Sequence, residues 1–323
     1  MCNVKCLMLK KTHLKEKIKD KAKQLGFNLI GFSVAEPVEE EIKNFYLDWI
    51  KKGYHGKMEF LERNIDKRMN PKEIMPDAKT IISLGINYNT NTPLSSLFSK
   101  YVVGKDYHIV IKKKMKKLLE WLEENFPGIN GKYFIDSGYV LEKYWAQKSG
   151  IGWIGKNTCL ITEKYGSWIF LSELIINFEI EPDLPCKNLC GKCNKCIENC
   201  PNNSLLGNYT IDAKKCISYL NIEYKNKLTS EEKKFLLFYL FGCDLCQLVC
   251  PYNINTNLTQ EPDFLINKNI HYKDIKFFKE FDEKKFKNFF AETSVNRISF
   301  EKFKENLEAI EGKNLCKLNS YIV

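Results

Sequence analysis

The sequence predicts an α+β protein in three segments: a mixed helix-and-strand domain over residues 1–180, a ferredoxin-like unit over 181–255 and a short helical segment over 256–323. Three observations carry this reading. Apolar residues recur alternately at helix and strand spacing through the first segment. Composition breaks at Glu181-Pro182-Asp183-Leu184-Pro185, where two prolines and two acids fall within five residues. Beyond that break the cysteines concentrate, eight of the 13 lying between Cys190 and Cys250.

Taken in order, Leu14, Ile18, Ala22 and Leu25 recur at helical spacing and predict an amphipathic helix over 12–25, ended by Gly26. Asn28 to Val34 reads as a strand closed by Pro37, and 39–51 as a second helix. Thr80 to Ile86 reads as a buried strand, and 109–125 as a lysine-rich helix. Tyr133 to Asp136 reads as a short strand ending in a carboxylate. Ser167 to Ile176 is apolar on both faces, the pattern of a central strand. In the last segment, 273–290 and 300–310 read as helices.

A chain of 323 residues, 44% hydrophobic and 28% charged, buries a core without disulfide staples and is not globally disordered. No apolar run is long enough for a transmembrane helix, and the start lacks the apolar core of a signal peptide. The expectation is a cytoplasmic protein with no membrane partner. Net charge is +10, and only Arg63, Arg68 and Arg297 among the 50 basic residues are arginine. This excess fits a polyanionic partner such as RNA, and a lysine-biased solvated surface gives the same count. Lysines 112, 113, 114, 116 and 117 offer one such basic helix face.

The strongest signal is cysteine spacing. The first motif is Cys190-x-x-Cys193-x-x-Cys196-x-x-x-Cys200-Pro201, and the second is Cys243-x-x-Cys246-x-x-x-Cys250-Pro251, with Cys216 between them. Dense cysteine in a reducing compartment points to metal rather than disulfides. The first spacing matches the bacterial two-cluster ferredoxin pattern, in which the cysteine before proline serves the other cluster. That crossing rule closes the count. Cys190, Cys193 and Cys196 take Cys250 for one [4Fe–4S] cluster, and Cys243, Cys246 and Cys216 take Cys200 for the other. Zinc also takes C-x-x-C pairs, but the x-x-x-Cys-Pro ending is unusual for zinc. Cys186, Cys2, Cys6, Cys159 and Cys316 read as ordinary thiols. Two such clusters carry single electrons and bind no organic substrate, so the first segment must hold the acceptor.

That segment has no G-x-G-x-x-G after a strand, no P-loop and no Asp-x-His-x-x-Gly. Its notable stretch is Ser149 to Thr158, with Gly150, Gly152 and Gly155 around Trp153. Glycines there let backbone approach a flat or phosphorylated ligand, and Lys156 can meet an anion; a tight structural turn accounts for the same residues.

Several longer stretches carry a resemblance. They are Arg68 to Pro76, Ser99-Lys100-Tyr101-x-x-Gly104-x-Asp106-Tyr107-His108, Asp136-Ser137-x-x-Val140-Leu141-Glu142-Lys143, and Gly150-Ile151-Gly152-Trp153-x-Gly155-Lys156. Gly166-Ser167-Trp168-x-Phe170-Leu171-x-Glu173, Cys216 to Glu223, and Gly242-Cys243-Asp244-x-Cys246-Gln247-x-Val249-Cys250-Pro251-x-Asn253 complete the set, in register over roughly 55 to 255. In these the chain resembles the epoxyqueuosine reductases, cobalamin-dependent iron–sulfur enzymes of tRNA queuosine synthesis. It departs from them at Lys100 and Tyr139, where the family usually has Arg and Pro, and at Asn202 and Tyr252 after the two Cys-Pro pairs. A lysine at a phosphate contact loses the bidentate fork of arginine. Many members also carry a helical-repeat extension that this tail is too short to contain.

The resemblance implies a nitroreductase-like cobalamin-binding domain, similar to that of reductive dehalogenases, beside two [4Fe–4S] clusters. It implies reductive deoxygenation of an epoxide on a tRNA anticodon base, fed by an external low-potential electron donor. Asp136 takes the family's proton-donor position; the residue types alone read it as a helix cap. A raised pKa suits a proton donor. Asn157, Lys156, Ser167 and Ser218 are candidate contacts to the corrin side chains, with Met58 and Asp244 beside the ring. Tyr107 and His108 read as packing residues, and Glu142 with Lys143 as an exposed pair without a role. A monomer is the expectation. The alternatives are a cobalamin–iron–sulfur reductase acting on a small molecule, as reductive dehalogenases do, and a non-catalytic electron carrier.

Overall fold

The computed structural model describes residues 2–93, 96–102, 104–265, 270–311 and 313, with side chains from His13 onward. The side chains of Cys2 and Cys6, and all of Cys316, lie outside the described residues. The first segment contains helix α1 (Cys2–Gln24), strand β1 (Leu29–Val34), helix α2 (Glu40–Lys51), strand β2 (Thr80–Asn87), helix α3 (Tyr107–Asn125), strand β3 (Gly131–Phe134), helix α4 (Glu142–Lys148) and strand β4 (Ile169–Ile176). The sheet order is β1-β2-β4-β3, and every pairing is antiparallel. That separates the fold from the parallel α/β class and makes it α+β.

β2 is buried along its whole length, because it is an inner strand covered on both faces. The period of two divides its side chains between two cores. Ile82, Leu84 and Ile86, with Leu174 and Ile176 of β4, pack against Ile18 of α1 and Met115 of α3. Ile81 and Ile175 point the other way, onto Trp145 of α4 and Met69 and Met75. Gly31 of β1 lets the end of α4 lie directly on the strand. A Cβ there would stand 2.1 Å from the carbonyl oxygen of Ser149.

The acidic, proline-rich break is fastened rather than free. Asp183 accepts hydrogen bonds from Lys15 Nζ at 2.6 Å and from the Phe32 amide at 3.0 Å, and its own amide donates to the Phe32 carbonyl at 2.8 Å. The last segment is likewise no separate module. Phe278, Phe286, Phe290 and Phe303 share one apolar core with Leu220 and Phe241 of the cysteine-rich unit and with Phe98 and Val102 of the first segment. A short backbone ladder reinforces the junction: the Ser99 amide donates to Phe241 O at 3.0 Å and the Leu240 amide to Leu97 O at 2.7 Å.

Three expected elements differ, the first being the helix expected over 12–25, which already begins at Cys2. The 273–290 helix is two pieces, Ile275–Lys279 and Glu283–Phe289, because Asp274 and Asp282 each cap a new start through the amides of Phe277 and Lys285. The expected 133–136 strand ends at Phe134, and Asp136 stands beyond it at φ +55°, a backbone conformation that leaves the ladder. Helix α5 (Phe300–Ile310) starts where Ser299 caps it. Among the described residues no helix is long and apolar enough to cross a membrane.

Phe303 is fully buried where the tail meets the cysteine-rich unit. Phe303→Ala should cost about 3–5 kcal/mol in denaturant unfolding. Because the core is shared, the variant should also lose bound iron at lower denaturant than the parent, measured by the visible absorbance of anaerobic protein.

Candidate active site

A cavity of about 390 Å³ opens between the sheet and the cysteine-rich unit. Asp136 lines it on the side of the first segment, and Cys216, Cys243 and Cys246 line it on the other. The Asp136 turn also borders a second, largely apolar cavity of about 340 Å³, walled by Phe45, Trp49, Phe60, Arg68 and Tyr209. Asp136 thus projects where two cavities meet.

Its carboxylate is held by the first residues of α3. Tyr107 donates its hydroxyl to Oδ2 at 2.6 Å, and His108 Nε2 lies 3.3 Å from the same oxygen. The other His108 nitrogen, Nδ1, lies 2.8 Å from Asp106 Oδ1, and Asp106 caps α3 through the His108 amide at 3.0 Å. Arg297, from the last segment, donates its Nε to Asp106 Oδ2 at 2.9 Å. The result is a line of alternating charge: Arg297, Asp106, His108, Asp136.

This line reverses the expected pKa of Asp136. Burial pushes the carboxyl up, but hydrogen bonds from His108 and Tyr107 and the charges of His108 and Arg297 outweigh it and hold it below the ordinary value. For His108, burial favours the neutral ring, yet the two flanking aspartates win and raise its pKa. Tyr107 is raised by burial and by Asp136, and stays a phenol donor. His108 is thus the group placed behind the carboxylate whose protonated form its neighbours favour, its Nε2 3.3 Å from Asp136 Oδ2. Asp136 does not cap α4, whose N-cap is Leu141.

The cysteines separate into two groups. Cys190, Cys193, Cys196 and Cys250 line one small cavity. Burial and the sulfurs of Cys250, Cys190 and Cys193 push the Cys196 thiol up to about 11. Cys243 is pushed well up by burial, with Cys216 and Cys200 beside it. Each proline-preceding cysteine thus stands with the motif it does not belong to. Among the described residues no three such side chains converge tightly enough to hold a single metal ion. Four sulfurs around one cavity fit the cluster type that the cysteine spacing predicts.

The other predicted site residues fall in three places. Ser167, Ser218 and Asp244 line the large cavity. Ser167 donates to Gln247 Oε1 at 2.9 Å, and its amide donates to Asn253 at 2.7 Å across a close approach at Gly166. Burial pushes Asp244 up to about 6, against hydrogen bonding and charge from Lys100, whose amide donates to it at 2.7 Å. Asn157 is buried and lines both the large cavity and that of the first cysteine group. Lys156 goes elsewhere: its Nζ donates to Gly191 O, Cys193 O and Asn194 Oδ1, each at 2.9 Å, and so braces the first cysteine loop. Met58 does not line the large cavity and packs against the apolar core that the three segments share. Lys100 turns inward, donating to Asn89 and Thr90 and lying over the Trp168 ring.

Sequence reasoning missed the roles of His108, Arg297 and Glu142, whose carboxylate accepts the Asp136 amide at 2.5 Å. The Asp-Tyr-His run at 106–108 was the available signal for the first. Arg297 carried a weaker one, as one of only three arginines. Cys159, read as an ordinary thiol, lines the large cavity beside Cys246.

The sequence model described as epoxyqueuosine reductase QueG, DUF1730 matches residues 68–137, and that of a 4Fe-4S double cluster binding domain matches residues 189–253. The epoxyqueuosine reductase of Leadbetterella byssophila is 38% identical over 302 residues, covering 92% of this chain and 98% of that protein. A crystal structure of epoxyqueuosine reductase with an epoxyqueuosine-modified tRNA-Tyr stem loop superposes with a TM-score of 0.86 at 30% identity, covering 93% of this chain and 81% of that one. The Bacillus subtilis epoxyqueuosine reductase, solved with its catalytic aspartate loop swung out of the active site, gives 0.85 at 30% identity, with 93% and 81% covered. With a carboxylate and a cysteine-rich electron store facing one cavity, and with relatives this similar along nearly all their length, the chain belongs to the epoxyqueuosine reductase family.

Proposed function

We propose that this protein reduces epoxyqueuosine to queuosine at the wobble position of tRNA, the last step of queuosine biosynthesis. One observation carries the reading: Asp136 and the Cys216, Cys243 and Cys246 sulfurs line the same cavity. The epoxide takes up two electrons and two protons, becomes an alkene and releases water. Cobalamin held in that cavity would supply two-electron reducing power toward the epoxide, and the two [4Fe–4S] clusters would carry electrons to it singly.

The chain's own residues do the rest. Cys190, Cys193, Cys196 and Cys250 hold the outer cluster, and Cys200, Cys216, Cys243 and Cys246 the one beside the cavity. Ser167, Ser218, Asn157 and Asp244 offer hydrogen-bonding groups to the corrin edge. Asp136 hands a proton to the departing epoxide oxygen, and His108, whose Nε2 lies 3.3 Å from its Oδ2, resupplies it. A carboxylate kept below its ordinary pKa works as a relay when a protonated imidazole stands behind it. The antiparallel sheet with helices on both faces supports a nitroreductase-like reading of the first segment, with the double-cluster unit and the helical tail following at about the boundaries the sequence predicts.

Two surfaces support a tRNA anticodon loop as substrate. The apolar cavity beside Asp136 carries exposed Phe45 and Phe60, on which a splayed base can stack. Lys112, Lys113, Lys116 and Lys117 are exposed on α3, the helix that starts at Tyr107, whereas Lys114 is tied to Glu261 at 2.7 Å. Cys193 is exposed, so the first cluster lies where an external low-potential donor can reach it. A tRNA substrate puts the reaction in the cytoplasm, and one chain holds every group the reading needs, which supports a monomer.

Asp136→Asn should retain cobalamin absorbance and the cluster signals but lose turnover of epoxyqueuosine-bearing tRNA by at least about 100-fold. Normal turnover by that variant removes Asp136 from the chemistry. Anaerobic protein should carry about eight irons. Cys250→Ala should disturb only the cluster signal that Cys190→Ala disturbs, while Cys200→Ala should disturb the other, as read by electron paramagnetic resonance. Reversing Lys112, Lys113, Lys116 and Lys117 to Glu should weaken tRNA binding and flatten its salt dependence, the slope falling by about one for each phosphate no longer neutralised; unchanged binding would place α3 away from the bound tRNA.

A further inference from the structure

Behind the Asp136 turn lies a pair of acids to which the reaction above assigns no part. Glu173, on β4, exposes none of its surface, and among the described residues neither of its carboxylate oxygens receives a hydrogen bond from an N–H or O–H donor. Its register partners are Ser83 of β2 and Phe134, the last residue of β3, so it lies beneath the strand that leads into the turn. Its charged neighbour is the carboxyl group of Glu142, the first residue of α4. Carboxylate oxygens are acceptors only, so two of them can stay in contact away from water when a proton lies between them. Glu142 is also the group whose Oε1 accepts the Asp136 amide at 2.5 Å.

We propose that the buried Glu173 and the half-buried Glu142 form an acid pair sharing one proton, and that through Glu142 this pair latches the Asp136 turn into the cavity. This rests on the reading of Asp136 as the group that serves the substrate. Asp136 needs such a hold. It sits at φ +55°, which costs energy for a residue with a side chain, and the strand hydrogen bonds end two residues before it. Tyr107 and His108 grip its side chain, and Glu142 grips its backbone. Glu142 lines both cavities and acts on the reaction through the Asp136 backbone, and Glu173 is a positioning residue that acts only through Glu142.

Burial, and the charge of Asp136, push Glu142 up to about 8; Lys143 and His108 oppose this. Burial and Glu142 push Glu173 well above its ordinary value. The sign follows from linkage. A carboxyl whose folded value is raised above its ordinary 4.5 favours the folded arrangement while protonated. That contribution is complete below the ordinary range and is lost as pH rises through about 8.

The test uses the anaerobic holoenzyme and its Glu142→Ala, Glu142→Gln and Glu173→Gln variants. Glutamine at 142 still accepts the Asp136 amide, and its own N–H replaces the shared proton toward Glu173. Glu142→Ala should therefore lower kcat about ten-fold with KM for the modified tRNA nearly unchanged, and Glu142→Gln should recover most of that loss. Independently of turnover, infrared difference spectra of the parent should show the carbonyl stretch of a protonated carboxylic acid at neutral pH. That band should fade as pH rises through about 8 and be absent from both glutamine variants. A parent without the band, a band that survives in both glutamine variants, or a Glu142→Gln variant as slow as Glu142→Ala overturns the latch. Because the band is read without tRNA, a parent that shows it but does not turn over epoxyqueuosine refutes the functional reading and leaves the acid pair standing.

Discussion

Thiolates repel one another, and the second half of this chain is arranged so that iron must resolve the repulsion. Cys250 comes back to Cys190, Cys193 and Cys196, and Cys200 stands with Cys216 and Cys243. Burial and mutual proximity raise the proton affinity of these sulfurs, so only a cationic core lets them stand together ionised. The exchange of one cysteine between motifs also ties the two groups into one body. Lys156 braces the first loop, and Asn157 reaches from the same glycine-rich turn toward the second. That turn, suggestive in sequence of a ligand cradle, serves mainly as a clamp on the cysteine loops.

The opposite wall of the cavity is governed by alternating charge. Arg297, Asp106, His108 and Asp136 form a line in which each group stabilises the ionised form of the next. Its consequence is a division of labour: the carboxylate faces the cavity, and the imidazole behind it is the group whose protonated form the flanking aspartates favour. A long-range contact makes this possible, since Arg297 arrives from a tail that shares its aromatic core with both earlier segments. The tail is therefore part of the catalytic scaffold as well as of the hydrophobic core.

Much of this was legible in the residues. Strands β1, β2 and β4 and helices α2, α3 and α5 lie within a residue or two of where their periodicity predicts, because hydrophobic period is a local property. The break at 181–185 was visible as composition, but not its tether to Lys15 and Phe32, which depends on a partner some 150 residues away. Asp136 was recognisable by its motif, yet its left-handed backbone and its lowered pKa were not. The first is imposed by how β3 leaves the sheet, and the second by side chains from α3 and the tail. Met58 and Lys156 were singled out by motif alone; in the fold Met58 packs on the shared apolar core and Lys156 donates to the first cysteine loop.

By itself the sequence determined what is chemically countable: the eight cysteines in ferredoxin spacing, the mixed helix-and-strand pattern, and the motifs that make the chain resemble its family. Spacing and periodicity survive in one dimension because they act between near neighbours. Only the tertiary structure decided that the four-stranded sheet is wholly antiparallel, that the tail reaches the residues behind Asp136, and that the Asp136 carboxyl is held below its ordinary pKa while His108 is raised. Those outcomes depend on burial and on charges meeting across long stretches of chain, and neither exists until the chain has folded.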